Sequence, residues 1–62
     1  MGMTLADVEV GKRYKFWTER VLGVPAYCEV ISKGRKNVKV NAWYGTSTWS
    51  AVISPSRIIE EV

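Results

Sequence analysis

Ala26-Tyr27-Cys28-Glu29-Val30-Ile31-Ser32-Lys33-Gly34-Arg35-Lys36-Asn37-Val38-Lys39-Val40-Asn41-Ala42-Trp43-Tyr44 is the stretch that decides the fold. Its second half alternates strictly, with Val38, Val40, Ala42 and Tyr44 on one face and Asn37, Lys39, Asn41 and Trp43 on the other. Successive side chains of a strand point to opposite sides, so this two-residue period predicts a strand with one face in the core. The first half repeats it, with Ala26, Cys28 and Val30 set against Tyr27, Glu29 and Ile31. Lys33-Gly34-Arg35-Lys36 between them predicts a tight hairpin connection.

The pattern extends in both directions. Lys12 to Thr18 alternates Tyr14 and Phe16 against Arg13, Lys15 and Trp17. Thr46 to Ile53 is rich in Thr, Trp, Val and Ile, and Ile58 to Val62 reads as a short final strand. Gly45-Thr46-Ser47 marks a second reversal. Ser54-Pro55-Ser56-Arg57 predicts a 3₁₀ turn, because Pro55 has no N–H to give a ladder. Only the start departs from strand character: Thr4 is a candidate cap, and Leu5 and Val8 lie three apart, as in one helical turn. Five strands with one apolar face can close on themselves, which removes exposed edges.

The chain has 62 residues, 47% of them hydrophobic and 24% charged. That is one domain, 1–62, near the lower size limit for unaided folding, since such a chain buries only roughly 60% of its unfolded surface. Gly2 is either native or an addition ahead of an original start at Met3. No apolar run is long enough for a helical membrane span or a signal-peptide core, which predicts a cytoplasmic protein with no membrane partner. Histidine is absent and Cys28 is the single cysteine. Cys/His zinc sites, histidine triads and an internal disulfide are thereby excluded. The carboxylates show no acid–base or metal-cage spacing, and neither GxxxxGK[ST] nor GxGxxG occurs. The expectation is a non-enzyme with no catalytic residues, no metal and no cofactor.

In its order of elements the chain resembles the Src-homology-3-like (SH3-like) small β-barrels of the KOW and Tudor kind. The likeness is carried by three stretches, Thr4–Tyr14, the central hairpin about Gly34, and Trp49–Ile58 with Ser54-Pro55-Ser56-Arg57 inside it. It implies an all-β domain, a five-stranded antiparallel barrel with a short 3₁₀ turn before the last strand. The fold hosts nucleic-acid binding, methyl-lysine reading, peptide docking and plain assembly, so it narrows the function without choosing it.

Charge chooses more sharply. Net charge is +3, yet residues 10–44 hold eight of the nine cations against Glu19 and Glu29 alone, a local +6. Lys33, Arg35, Lys36 and Lys39 crowd the hairpin, where positive potential suits phosphates. Such tips are also commonly just solvated, and a lysine on an edge strand protects it from aggregation. Arg13, Lys15 and Trp17 share the outward face of the first strand, and Lys39, Asn41 and Trp43 that of the third. Should those faces lie side by side, aromatic rings among cations could stack bases, with Asn41 as a polar contact. The plainer reading makes the tryptophans sheet and end-of-barrel packing. Three Trp in so short a chain favour at least one exposed ring, Trp43 first. Tyr27, Trp43, Tyr44 and Trp49, near Glu29, are weaker candidates for a cation cage.

The leading expectation is therefore a small nucleic-acid-binding module, for DNA or RNA, using Arg13, Lys15, Lys33, Arg35, Lys36, Lys39, Asn41, Trp43 and Trp17. The alternative is a protein–protein adaptor or inhibitor that docks on a larger complex. It would use the apolar connection 18–25, through Val21, Leu22 and Val24, together with surface Trp. That connection could equally fold back as a lid over the core. A homo-oligomer fits either reading. Cys28, on the presumed inner face, is most simply a small buried hydrophobe.

Overall fold

The computed structural model describes residues 3–62, and the origin of Met1-Gly2 lies outside the described residues. The chain is all-β: five strands, β1 (Arg13–Thr18), β2 (Val21–Lys33), β3 (Val38–Tyr44), β4 (Ser47–Ile53) and β5 (Ile58–Glu61). Two 3₁₀ turns accompany them, Leu5–Asp7 and Pro55–Arg57, and no α-helix occurs among the described residues. All neighbouring strands are antiparallel, and the single sheet runs β4-β3-β2-β1-β5. The alternation read from the sequence is the alternation of burial. Tyr14, Phe16, Ala26, Cys28, Val30, Val38, Val40 and Ala42 are buried, and Val8, Ile53 and Ile58 complete the core. Tyr44, assigned inward by its period, is exposed instead, because it ends β3 opposite Ser47 at the turn, past the last buried row.

The ladder does not close as expected. β4 and β5 are its two edges and are not hydrogen-bonded to each other. Beside β4 a hollow of about 280 Å3 is bordered by Trp49–Ile53 on one side and by Phe16, Thr18 and Arg57 on the other. The end of β1 and Arg57 of the second 3₁₀ turn stand across this hollow from β4. β3 is consequently an interior strand, so Lys39 does not protect an edge of its own.

The largest departure concerns residues 18–25. The long connection expected there is a two-residue turn, Glu19-Arg20, because Thr18 already pairs with Val21. The surplus length enters the strand: between the Phe16↔Ala26 and Thr18↔Val21 pairs, Trp17 alone faces Leu22-Gly23-Val24-Pro25. This is an enlarged β-bulge. Gly23 takes a left-handed φ of 84° there, which costs a glycine little. Pro25 sits where the ladder is interrupted and its missing N–H goes unused. Nor does the segment form a lid. Val21 packs on the core, but Leu22 is 87% exposed and Val24 41%.

The turns follow their residues. Gly45, with φ 63°, precedes Thr46 at negative φ in the two-residue β3–β4 hairpin, as in a type II′ turn. In the β2–β3 hairpin the Gly34 N–H donates to the Asn37 carbonyl at 2.8 Å. At the first 3₁₀ turn, Thr4 does not cap a backbone N–H through its side chain. Its own N–H and hydroxyl both donate to Asp7 Oδ2, at 3.1 and 2.9 Å, which lowers the Asp7 pKa, the backbone bond being the larger cause.

Candidate functional site

The sheet register decides which candidate residues meet. Outward-facing residues form rows across β1, β2, β3 and β4: Arg13–Glu29–Asn41–Ser50, then Lys15–Tyr27–Trp43–Thr48. The outward faces of β1 and β3 do belong to one surface, but β2 stands between them and contributes Tyr27 and Glu29. Trp43 is therefore half-buried. Tyr27 stacks against it with centroids 6.1 Å apart and 21° between planes, and the Arg13 guanidinium lies 5.8 Å from its centroid. Arg13 also pairs with Glu29 at 3.6 Å. Lys15 stands opposite Glu60 of β5. This cluster of rings and charges is satisfied within the sheet. The most exposed tryptophan is Trp17, at 49%, and not Trp43.

The hairpin cations divide. Lys33 turns away from the tip, and its Nζ donates to the carbonyls of Leu5, at 3.0 Å, and Val8, at 2.7 Å. It ties the first 3₁₀ turn, and the buried Val8 that follows it, to the end of β2. Arg35, Lys36 and Lys39 stay exposed and line one shallow groove of about 510 Å3 with Ser32, Gly34, Asn37 and Val52. No carboxylate lines this groove, and none of the three cations has an ion-pair partner among the described residues. By contrast Lys12 pairs with Glu9 at 3.3 Å and Glu61 at 3.6 Å, which raises its pKa, the hydrogen bond it donates to Glu9 being the largest cause. Arg20 lies 5.1 Å from the ring centre of Trp49.

A bulge on β3's partner strand shapes the groove. Pairing of β2 with β3 shifts between Val30↔Val40 and Ser32↔Lys39, leaving Ile31 in a bulge just before the hairpin. Lys39 lies beside Val52 of edge strand β4, which is 66% exposed and gives the groove an apolar wall. Asn41 and Trp43 follow on the same face of β3. At about 3.3 Å per residue, Trp43 stands about 13 Å from Lys39 along the strand. Ser32 and Asn37 were legible as flanks of the Gly34 hairpin. Val52 was not, because only the β3–β4 register brings it to Lys39.

A second surface gathers at the opposite end of β2. Trp17, Val21 and Leu22 border a hollow of about 400 Å3 together with Glu19 and Arg57. The bulge thus takes Trp17 away from the cations of the hairpin and sets it among the apolar residues of the interaction reading. Tyr44 and Trp49 meet at another hollow with Arg20, while Tyr27 and Trp43 form their own pair, so the four candidate cage aromatics fall into two groups.

Cys28 is buried and free. Burial pushes its thiol up to about 11, partly offset by a hydrogen bond from the Tyr14 backbone. A thiol held protonated in this way is a poor nucleophile. Among the described residues no group of three or more Asp, Glu or Cys is placed to hold a metal ion, and no helix is long and apolar enough to cross a membrane. Compared with known protein families, curated proteins and solved structures, the chain matches none.

Proposed function

We propose that this chain is a non-enzymatic nucleic-acid-binding module of the cytoplasm that holds phosphates in the hairpin groove. The observation that carries the reading is the convergence of Arg35, Lys36 and Lys39 on a groove with no carboxylate. Arg offers a planar fork for phosphate oxygens and Lys a compact point charge, so the three together suit a strand of linked phosphates. Ser32 and Asn37 add neutral polar groups at the same groove. Selectivity for particular bases does not follow from such contacts. Base stacking on Trp43 requires Arg13 to leave its ring, so phosphate contacts dominate. Strand order β4-β3-β2-β1-β5 and the 3₁₀ turn before β5 support assignment to the SH3-like small barrels, with a seam left open.

Fluorescence anisotropy with a labelled oligonucleotide at low salt tests the reading. Binding that weakens as salt rises is the expected result. No binding to DNA or RNA at tens of micromolar protein refutes it. The protein-interaction reading is supported by a separate observation, the exposed Trp17, Leu22 and Val24 at the far end of β2.

A further inference from the structure

We propose that the hairpin groove takes an unpaired strand of nucleic acid, RNA or DNA, in preference to a duplex, an inference that rests on the phosphate-binding reading of the same groove. Its first support is how narrow the available positive charge is. Lys12 and Arg13 are paired with carboxylates and Lys33 with backbone carbonyls. Lys15 stands opposite Glu60, Arg20 lies against Trp49, and Arg57 borders the hollow beside Trp17. Arg35, Lys36 and Lys39 are left to gather in one place, on a single hairpin.

A duplex asks for more than this. Its two backbones stand about 6 Å apart across the minor groove and about 12 Å apart across the major groove. With one backbone on the groove cations, the second falls either beyond edge strand β4 or over β2 and β1. There the Arg13–Glu29 pair gives it no net attraction. A duplex therefore engages this surface through one strand only.

The second support is Val52. The two-residue β3–β4 turn makes Tyr44↔Ser47 a hydrogen-bonded pair, so by alternation Lys39↔Val52 is a non-hydrogen-bonded one, in which side chains lie closer. A phosphate on the Lys39 ammonium thus brings its own sugar and base to the Val52 side chain, which is 66% exposed. Bases stacked inside a duplex offer this wall no apolar face, whereas an unpaired strand can splay one onto it. Beyond Val52 the same face continues with Asn41, Ser50 and Thr48, all exposed and uncharged. They give an unpaired strand hydrogen-bonding groups without a carboxylate to repel it.

Fluorescence anisotropy of the full chain tests this with a labelled strand that has no self-complementarity, alone and annealed to its complement, at one low salt concentration. The comparison is made once with RNA and once with DNA. With at least one sugar the unpaired strand binds about fivefold or more tightly than its duplex, as loss of one apolar contact implies. Val52→Ser keeps the circular dichroism spectrum of the native chain and weakens binding of the unpaired strand about three- to fivefold. It leaves the salt dependence and the duplex affinity unchanged. Duplexes that bind as tightly as their single strands with both sugars overturn the inference while the phosphate reading stands. A folded Val52→Ser chain that binds the single strand as the native chain does has the same consequence. Absence of binding to all four probes overturns both.

Discussion

Lys33 offers the sharpest separation between a cation that holds the fold and a cation free to bind. Its ammonium donates to the Leu5 and Val8 carbonyls at 3.0 and 2.7 Å, while its stem continues β2. Lys33→Met keeps the stem and removes the charge. A hydrogen bond to a charged group contributes roughly 1.5–3 kcal/mol net. Here one ammonium serves two carbonyls, and the Leu5 contact is open to water, so the pair together contributes about 2 kcal/mol. Val8, which follows the 3₁₀ turn it holds, is also part of the buried core. In a domain of this size about 1 kcal/mol moves Tm by roughly 4–8 °C, so Lys33→Met lowers Tm by about 8–16 °C. Lys36→Met, at an exposed residue without an ion-pair partner, changes stability by at most about 0.5 kcal/mol. Thermal unfolding of both variants, followed by circular dichroism, makes the comparison. Equal melting of the two, with Lys33→Met losing as much oligonucleotide affinity as Lys36→Met, refutes the division of labour.

Further predictions rest on single residues. The Cys28 thiol has a folded pKa of about 11, above its ordinary value of 9.0, so the stability it supports is intact below pH 9 and is lost as pH rises toward 11. Alkaline denaturation that starts near pH 9 in the native chain and is blunted in Cys28→Ala is the expected result, and identical pH profiles contradict it. Gly23→Ala meets no atom within 4 Å of the new Cβ, so its cost is the left-handed backbone alone, about 1–2 kcal/mol; an unchanged Tm contradicts the bulge. Trp17→Phe removes most of the acrylamide-quenchable fluorescence, since Trp43 and Trp49 are half-buried; retention of that component contradicts the assigned exposures.

How much was legible follows from the range of each signal. Alternation from Arg13 to Trp43 placed the strands and their inward faces, because side-chain period is a local property. Pro55 and Gly45 likewise announced their turns from one or two residues. Register is not local. The segment 18–25 holds Gly23 and Pro25, which in sequence mark a loop equally well as a bulge, and only the Thr18↔Val21 pair distinguishes them. The same limit hid the fate of Arg13 and Trp43. Each is outward by period, but β2 brings Tyr27 and Glu29 between them, and the two rows lock together. Lys33 was counted among the tip cations because its carbonyl partners lie more than twenty residues away. Seam closure depends on how far the sheet curls, which no residue pattern in β4 or β5 specifies.

The groove itself is tested most directly by the salt dependence of oligonucleotide binding in the native chain and in Arg35→Ala/Lys36→Ala. Each phosphate neutralised contributes about −0.7 to −0.9 to the slope of log K against log salt. Three groove cations therefore predict a slope of about −2 to −3, falling to about −1 in the double variant. Equal slopes in the two proteins contradict the central claim, because the affinity would then arise from cations elsewhere on the sheet.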